Sequence, residues 1–478
     1  MIPMENPMIF SNEPRPEDLK SLADVKLLPF WLDDAARPEP VAALTESIEA
    51  DLVVVGAGFT GLWTALLAKE ADPGREVVLI ESGETAGGAS GRNGGFVSAS
   101  LTHSFQNGLS RWPAELSDII RMGHENLDAI ENAIQRYRIE CDFIRSGELN
   151  LALREEQAED FKEERDISAR YGETLTFLDR DEVRARVDSP TYLAGLFNPS
   201  NGMVNPARLS WGLRRACLER GVRLFERSPA KRLEDLGETV VVRAAQGRVR
   251  ARRVALATNA FPPLLRRISY YIVPVYDYVL MTEPLTPAQR DSIGWRGREG
   301  LSDSDNQFHY YHITAEGRIL WGGYDALYYW NNGMGPHLEN RPETFARLAA
   351  HFFQTFPQLE GLRFTHAWAG AIDTCSRFTA FWGTALKRKV SYVAGYTGLG
   401  VGASRFGAQV MLDLLDGRET ERVALKMVRT KPAPIPPEPF RSPIINFTRW
   451  SLAQADRRGG RRNLWLRLLD ALGLGFDS

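Results

Sequence analysis

Two kinds of apolar spacing alternate along the chain. The run DLVVVGAGFTGLWTALLAKE opens with an unbroken apolar block at 51–55 and passes through glycines into helically spaced residues. The block predicts a strand buried on both faces, and the segment after it a helix. A second apolar block at 76–80 predicts a neighbouring strand. Leu116, Ile119, Ile120, Leu127, Ile130 and Ile134 recur at helical period, so 115–137 should be one amphipathic helix. Stretches 154–171 and 210–220 read as further helices, and VVVRAAQGRVRARRVALATNA as a hairpin turning at Gln246-Gly247 followed by a buried strand at 254–257. Between 270 and 323 the period becomes two. IVPVYDYVLMTEP, NQFHYYHIT and RILWGGY, the last two separated by Ala315-Glu316-Gly317, predict a wide antiparallel sheet. A helix over 341–356, a strand at HAWAGAID and the Gly-rich VAGYTGLGVGASRFGAQVMLDLL follow, and the Pro-rich tail carries helical spacing at 444–454 and 463–474.

The first strand–turn–helix–strand unit has the parts a bound dinucleotide needs. Gly56 permits the tight turn, Gly58 lets backbone approach a pyrophosphate, and Gly61 lets helix and strand close. The helix start offers unpaired N–H groups and a positive dipole end to phosphate. Glu81, at the end of the second strand with Ser82 beside it, suits ribose hydroxyls and would repel a 2′-phosphate, which argues against NADP. Two more glycine-rich segments, GASGRNGGF and GYTGLGVG, lie at places suited to the two ends of a long cofactor. Together they favour FAD over NAD, and with no second GxGxxG unit a separate nicotinamide site is not expected.

The expected fold class is therefore α/β with an α+β substrate domain: a discontinuous Rossmann-like FAD-binding domain beside a mixed, largely antiparallel sheet. The boundaries that follow are an N-terminal arm at 1–48, an FAD-binding domain at 49–100, 195–265 and 365–425, a substrate domain at 101–194 and 266–364, and a Pro-rich linker with a helical tail at 426–478.

A net charge of −3 gives no reason to expect nucleic acid as a partner. Cys141, Cys217 and Cys375 match no disulfide framework or metal spacing, so a reducing, cytoplasmic setting is expected. The first residues lack the basic start and apolar run of a secretory signal, and no stretch suits a membrane span. The tail sequence ADRRGGRRNLWLRLLDALGLG could lie on an anionic membrane, although docking on its own domain is the preferred reading.

The motifs GAGFTGLWTA, Glu81, GGASGRNGG and GYTGLGVGAS together resemble the D-amino-acid-oxidase-like FAD family, over roughly residues 50–417. SGRNGG with GLWTALLAKE looks most like its γ-glutamylputrescine oxidase and aminophosphonate oxidoreductase members. The resemblance implies that Gly56, Gly58, Thr60 and Gly61 hold the pyrophosphate of FAD and Glu81 and Ser82 the ribose. It further implies that Ser90, Arg92, Asn93, Gly94 and Gly95 wrap the ribityl chain and ring edge. Ala230 and Lys231 would meet the adenine through backbone, with Thr258 and Asn259 nearby. Gly398, Leu399, Gly400 and Val401 would line the far end of the flavin.

The chemistry implied is oxidation of a primary or secondary amine to an imine by hydride transfer to the flavin. Reoxidation is expected by O₂, giving peroxide, with an amine or amino-acid dehydrogenase feeding a quinone as the alternative; a non-catalytic flavoprotein or a subunit of a redox complex is the reading outside enzymes. Two departures from the family pattern bear on substrate and acceptor. After Trp368-Ala369-Gly370, Ile372 stands where amino-acid-oxidising members carry a carboxylate-clamping Arg, with Asp373 next to it; Arg377 could serve only if the chain bulged. Asp373 would suit a substrate with a second cationic group, and a turn or capping carboxylate is its structural alternative. RILWGGYD offers Trp321 and no lysine where sarcosine-oxidase-like members place an oxygen-activating one. Covalent FAD attachment at Cys375 is not expected.

Tyr310, Trp321 and Asp373 are thus the candidate catalytic residues. Tyr276, Phe308 and Trp368 are the candidate substrate contacts, with Phe308, Tyr310 and His312 on one strand face as part of an aromatic box. His309 and His312 point to opposite faces, and no metal site is expected.

Overall fold

The computed structural model describes Phe10 and residues 13–475, so residues 1–9, 11 and 12 of the expected arm and the last three of the tail lie outside the described residues. Two large sheets organise the chain. In the first, strands Arg223–Phe225, Val77–Ile80, Ser47–Val55, Arg248–Leu256 and Val390–Ala394 lie side by side and parallel, with Phe381–Ala385 antiparallel at one edge. Val55 is level with both Ile80 and Leu256, Ile80 with Phe225, and Leu256 with Tyr392. The C-terminal ends of five parallel strands are therefore flush along one edge, where ligands of doubly wound sheets bind. Helices Phe59–Ala71 and Gly400–Asp416 start from this edge and pack on each other, their buried faces joining one apolar core. The predicted hairpin at 246–247 is present, but its second arm is one strand from Arg248 to Leu256, with no separate element at 254–257.

The second sheet has nine strands and is antiparallel except where Gly300–Asp303 runs parallel to Glu148–Ala152. Its long central pair joins Val273–Thr282 to Phe364–Thr374. Helix Pro342–Thr355 covers one face, burying Phe345, Phe352 and its C-cap residue Phe356 against Tyr278, Tyr311 and Trp321. The other face carries Val275, Asp277 and Tyr310.

Two strands at the expected boundaries lie in the second sheet. Strand Ala194–Asn198 pairs with Glu148–Ala152, and Phe364–Thr374 pairs with Val273–Thr282, so both belong to the second sheet and not to the nucleotide-binding layer. The reason is register: each continues a hydrogen-bond ladder already begun by its partner. The described part of the arm is also more than a leader. The Trp31 indole N–H donates to the Asn93 carbonyl at 2.8 Å, while the backbone N–H groups of Val41 and Leu44 donate to Glu226 and Ser228.

Trp321 is fully buried beneath the covering helix, between Tyr311, His309 and Phe352. Trp321→Ala should cost about 3–5 kcal/mol of stability, the scale of truncating a large core aromatic. Chemical denaturation would show this as a lower midpoint with unchanged slope, and a shift under about 1 kcal/mol would contradict the packing role.

Candidate functional site

The flush edge of the first sheet gathers the glycine-rich segments into one crevice. The chain leaves Ser47–Val55 through Gly56, whose φ of +102° is left-handed and whose added Cβ would lie 2.5 Å from the Ala257 carbonyl oxygen. Only glycine meets both demands. The turn then enters helix Phe59–Ala71 with Gly58 as its cap residue. Glu81, at the tip of the adjacent strand, accepts from the Ala57 N–H at 2.7 Å and the Gly83 N–H at 2.9 Å, with the Ser82 hydroxyl at 3.0 Å. Its carboxylate thus faces the glycine turn. Thr258 and Asn259 follow Arg248–Leu256 and lie off this edge, while Ala230 and Lys231 open the strand Ala230–Asp235 two residues after Ser228, whose N–H donates to the Glu81 carbonyl.

The loop carrying Ser90 to Gly95 crosses this edge toward the second sheet. Ser90 Oγ accepts from the Phe59 N–H at 2.9 Å and so caps the dinucleotide helix. Asn93 shapes the loop from within: its amide donates to the carbonyls of Ala89 and Ser90 and accepts from the Gly95 N–H. Arg92 pairs with Glu339 at 2.6 Å and donates to the carbonyls of Gly87 and Ala369, tying the loop to the second sheet. Gly94 lies against Tyr310, where a Cβ would fall 2.6 Å from the ring.

On the far side, Gly398 and Gly400 face open space, with no atom within 4 Å of where their Cβ atoms would stand. With Leu399 and Val401 they form the start of the 17-residue helix Gly400–Asp416. A row of open glycines at one helix start, a glycine turn at another and a carboxylate at the ribose position fit an extended FAD. Bound there, FAD supplies a two-electron acceptor.

A cavity of about 1220 Å³ lies on one face of the second sheet, closed by the loop carrying Ala89 to Gly94, by Gly398 to Val401 and by residues of the C-terminal tail. Its wall includes Arg92, Gly94, Phe308, Tyr310, Ile372, Gly398, Leu399 and Val401 among the residues singled out in the sequence. It also includes Asp277, which sequence reasoning missed. Asp277 is the neighbour of Tyr276 on Val273–Thr282, and alternation turns Val275, Asp277 and Val279 to the cavity and Tyr276 away from it. The Tyr310 hydroxyl donates to the Asp277 carboxylate. Burial pushes Asp277 up to about 6 and, together with the Asp277 charge, holds the Tyr310 phenol well above its usual range. Tyr310 therefore stays neutral, with its proton directed at Asp277 and its oxygen lone pairs free to accept from a ligand. His103 also lines the cavity, with burial lowering its pKa to about 4, so it is a neutral imidazole.

Several sequence-based expectations need correction. Trp321 faces the covering helix, on the sheet side opposite Tyr310, and is absent from the cavity wall. Tyr276 faces that helix side too, its hydroxyl accepting from the Gly335 N–H at 3.0 Å. Trp368 lies in a small core beside the loop and donates to the Arg92 carbonyl at 2.8 Å, so it positions the loop and does not reach the cavity. Asp373 is buried and takes the Gly395 N–H at 2.6 Å, with the Tyr396 and Thr397 N–H groups beside it; desolvation raises it to about 7. It braces the turn delivering Gly398 and Gly400, as the capping alternative supposes. The Thr60 hydroxyl bonds to Tyr396 at 3.0 Å, which leaves only its backbone for phosphate. Phe308 and Tyr310 line the cavity, whereas His312 stacks on Trp31, so the aromatic face is split. Arg377 is spent on the carbonyls of Thr379, Ala380 and Thr430 and does not replace the missing clamp. The Cys375 thiol is turned to the carbonyls of Thr379 and Gly395, and burial raises its pKa. No cluster of potential metal ligands occurs among the described residues.

The family described as FAD dependent oxidoreductase (DAO) matches residues 51–414. Among curated proteins, γ-glutamylputrescine oxidoreductase of Escherichia coli is 31% identical, over 81% of this chain and 88% of its own length. A probable oxidoreductase, OrdL, of Haemophilus influenzae is 28% identical, over 83% and 89%. Among solved structures, glycine oxidase from Geobacillus kaustophilus superposes with a TM-score of 0.65 at 20% identity, covering 80% of this chain and 99% of that one. L-proline dehydrogenase from P. horikoshii gives 0.65 at 18%, covering 78% and 95%. At such identities these two likenesses are of fold alone. The crevice geometry, the match across 51–414 and a relative of 31% identity place the chain in the DAO family of FAD-dependent oxidoreductases, which act on amines or amino acids.

Proposed function

We propose that the protein oxidises a primary or secondary amine to an imine, the substrate being an elongated amine with a second polar or cationic group. The observation that carries this reading is the buried Asp277–Tyr310 pair on the cavity wall facing the glycine loop. An amine approaching this pair donates N–H to the Tyr310 oxygen, while the Asp277 carboxylate supplies the negative charge that favours a cationic approach. The α-carbon is then held toward the flavin end marked by Gly94 and Gly398–Gly400. Bound FAD would supply the acceptor for the hydride of the α-C–H bond; with loss of the nitrogen proton this would leave C=N, which water would hydrolyse to a carbonyl and an amine.

Ile372 faces the cavity and supplies no cation for a carboxylate next to the reacting carbon. Farther along the wall, burial raises the carboxyls of Glu148 and Glu164, which lie too deep to be well solvated. Poorly solvated carboxylates gain most from an arriving ammonium group. Arg449 stands at the tail end of the same wall. A substrate reaching past the reacting nitrogen would meet both signs of charge. That suits a diamine derivative, the class of compound after which the Escherichia coli relative is named. Molecular oxygen as final acceptor belongs to this proposal, with a quinone as the competing acceptor.

Under anaerobic conditions, diamines and their N-acyl derivatives should bleach the visible flavin band, and glycine and D-alanine should not. Bleaching by glycine and none by any diamine would contradict the reading. Because Asp277 is raised to about 6, kcat/KM should fall as pH drops through that value and its carboxylate is protonated. Asp277→Asn should slow flavin reduction by about 10- to 100-fold, the worth of one hydrogen bond to a charged group. It should also abolish the acid limb; a limb unchanged in the variant would assign the titration elsewhere.

A further inference from the structure

The C-terminal helices Arg441–Arg457 and Leu464–Ala471 lie beyond the segment matched by the family, and they have two different faces. The inner face belongs to the protein. Ile444, Ile445, Leu452, Leu466 and Leu469 wall the cavity. Asp456 accepts from the backbone N–H groups of Asn306 and Gln307, Arg441 donates to Asn332, and Arg111 donates to the Gly473 carbonyl. The hairpin is thus fixed on its domain, in line with the preferred reading of its sequence.

The outer face is apolar and uncovered among the described residues. Phe440, Phe447, Trp450, Leu464, Leu468 and Leu472 are each between 47% and 84% exposed. Phe447 stacks on Trp450 with ring centroids 5.6 Å apart and meets Trp465 edge-on, so the aromatic residues form one raised cluster joining the two helices. An exposed aromatic cluster flanked by exposed leucines of the same two helices marks a docking site.

Charge decides the occupant. Residues 441–475 hold seven arginines and two aspartates, with no lysine or glutamate, in a chain whose net charge is −3. Both aspartates are already engaged, Asp456 with Asn306 and Gln307 and Asp470 with Arg462. Arg457, Arg458, Arg461 and Arg467 are exposed around the apolar cluster. A second copy meeting this face about a two-fold axis would set arginines against arginines. A surface that takes up Trp, Phe and Leu side chains while presenting negative charge to interspersed arginines is the interface of an anionic bilayer. No described helix is long and apolar enough to cross a membrane, which fits a helix pair lying in the interface plane.

We propose that the outer face of this C-terminal hairpin docks the protein peripherally on anionic lipid, setting the helices that wall the cavity against the membrane surface. The proposal does not depend on the identity of the substrate. It is tested by sedimenting the full-length holoenzyme with vesicles of phosphatidylcholine alone or of phosphatidylcholine with phosphatidylglycerol. Binding should require phosphatidylglycerol and weaken steeply with added salt. Trp450→Ser combined with Leu468→Ser, and separately the charge reversal of Arg457, Arg458 and Arg461 to Glu, should each weaken binding by about tenfold or more. Visible flavin absorbance and the thermal midpoint report whether these variants remain folded. Equal sedimentation with and without phosphatidylglycerol would overturn the proposal, as would undiminished binding by the folded Trp450→Ser/Leu468→Ser variant. So would a lipid-free dimer, measured by light scattering, that the same double substitution dissociates, since the face would then belong to a second copy.

Discussion

The approach of Tyr310 to the backbone at Gly94 is the contact on which the site depends. It brings a strand of the second sheet against the loop leaving the first, and it requires that Gly94 carry no side chain. Gly322, level with Tyr310 on the neighbouring strand, clears the other side of the ring: a Cβ there would fall 2.6 Å from the phenol carbon bearing the hydroxyl. With both positions empty of side chain, the phenol lies flat between loop and sheet, and its hydroxyl is directed at Asp277. An ionisable pair is thereby buried at the junction of two layers, where neither partner is well hydrated and each is tuned by the other.

Around that contact, the surrounding groups hold the loops in place. Trp31 and Trp368 donate indole N–H groups to the carbonyls of Asn93 and Arg92, gripping the loop from the arm and from the second sheet. Arg92 returns a bond to Ala369, next to Trp368. Asp373, farther along the same strand, does the equivalent for the turn at Gly395–Thr397. One strand, Phe364–Thr374, thus fixes both glycine-rich segments that flank the cavity. Its membership of the second sheet is what couples the substrate layer to the cofactor layer.

Legibility in the sequence follows the reach of each signal. The glycine turn, the acid after the second strand and the late strand-to-helix segment are local patterns, each imposed by a backbone constraint, and they mark the crevice. The helices at 115–137 and 341–356 are readable from their periodicity and occur as Leu116–Arg136 and Pro342–Thr355. The helix Pro206–Glu219 begins earlier than apolar spacing indicates, because Asn205 caps it and Pro206 takes its first turn. The pocket is less legible. On a strand, identity says little about which of two faces a side chain occupies, and that depends on a partner far away in sequence. Tyr276 and Asp277 are adjacent, yet only the acid meets the cavity; Tyr310 and Trp321 are both sheet aromatics, yet they lie on opposite sides. Asp373 resembles a substrate contact in sequence because Ile372 beside it occupies a notable position, but alternation points the two apart. The tail's two faces are legible as amphipathicity, though not which of them the protein keeps for itself.

The most direct test is a crystal structure of the holoenzyme with an unreactive amine analogue bound under anaerobic conditions. The isoalloxazine should lie between Gly94 and Gly398–Gly400, with the ligand nitrogen within hydrogen-bond distance of Tyr310 Oη and the carbon to be oxidised turned toward the flavin. A ligand seated on the Trp321 side of the sheet, or a flavin ring outside the cavity that Tyr310 and Asp277 line, would contradict the account.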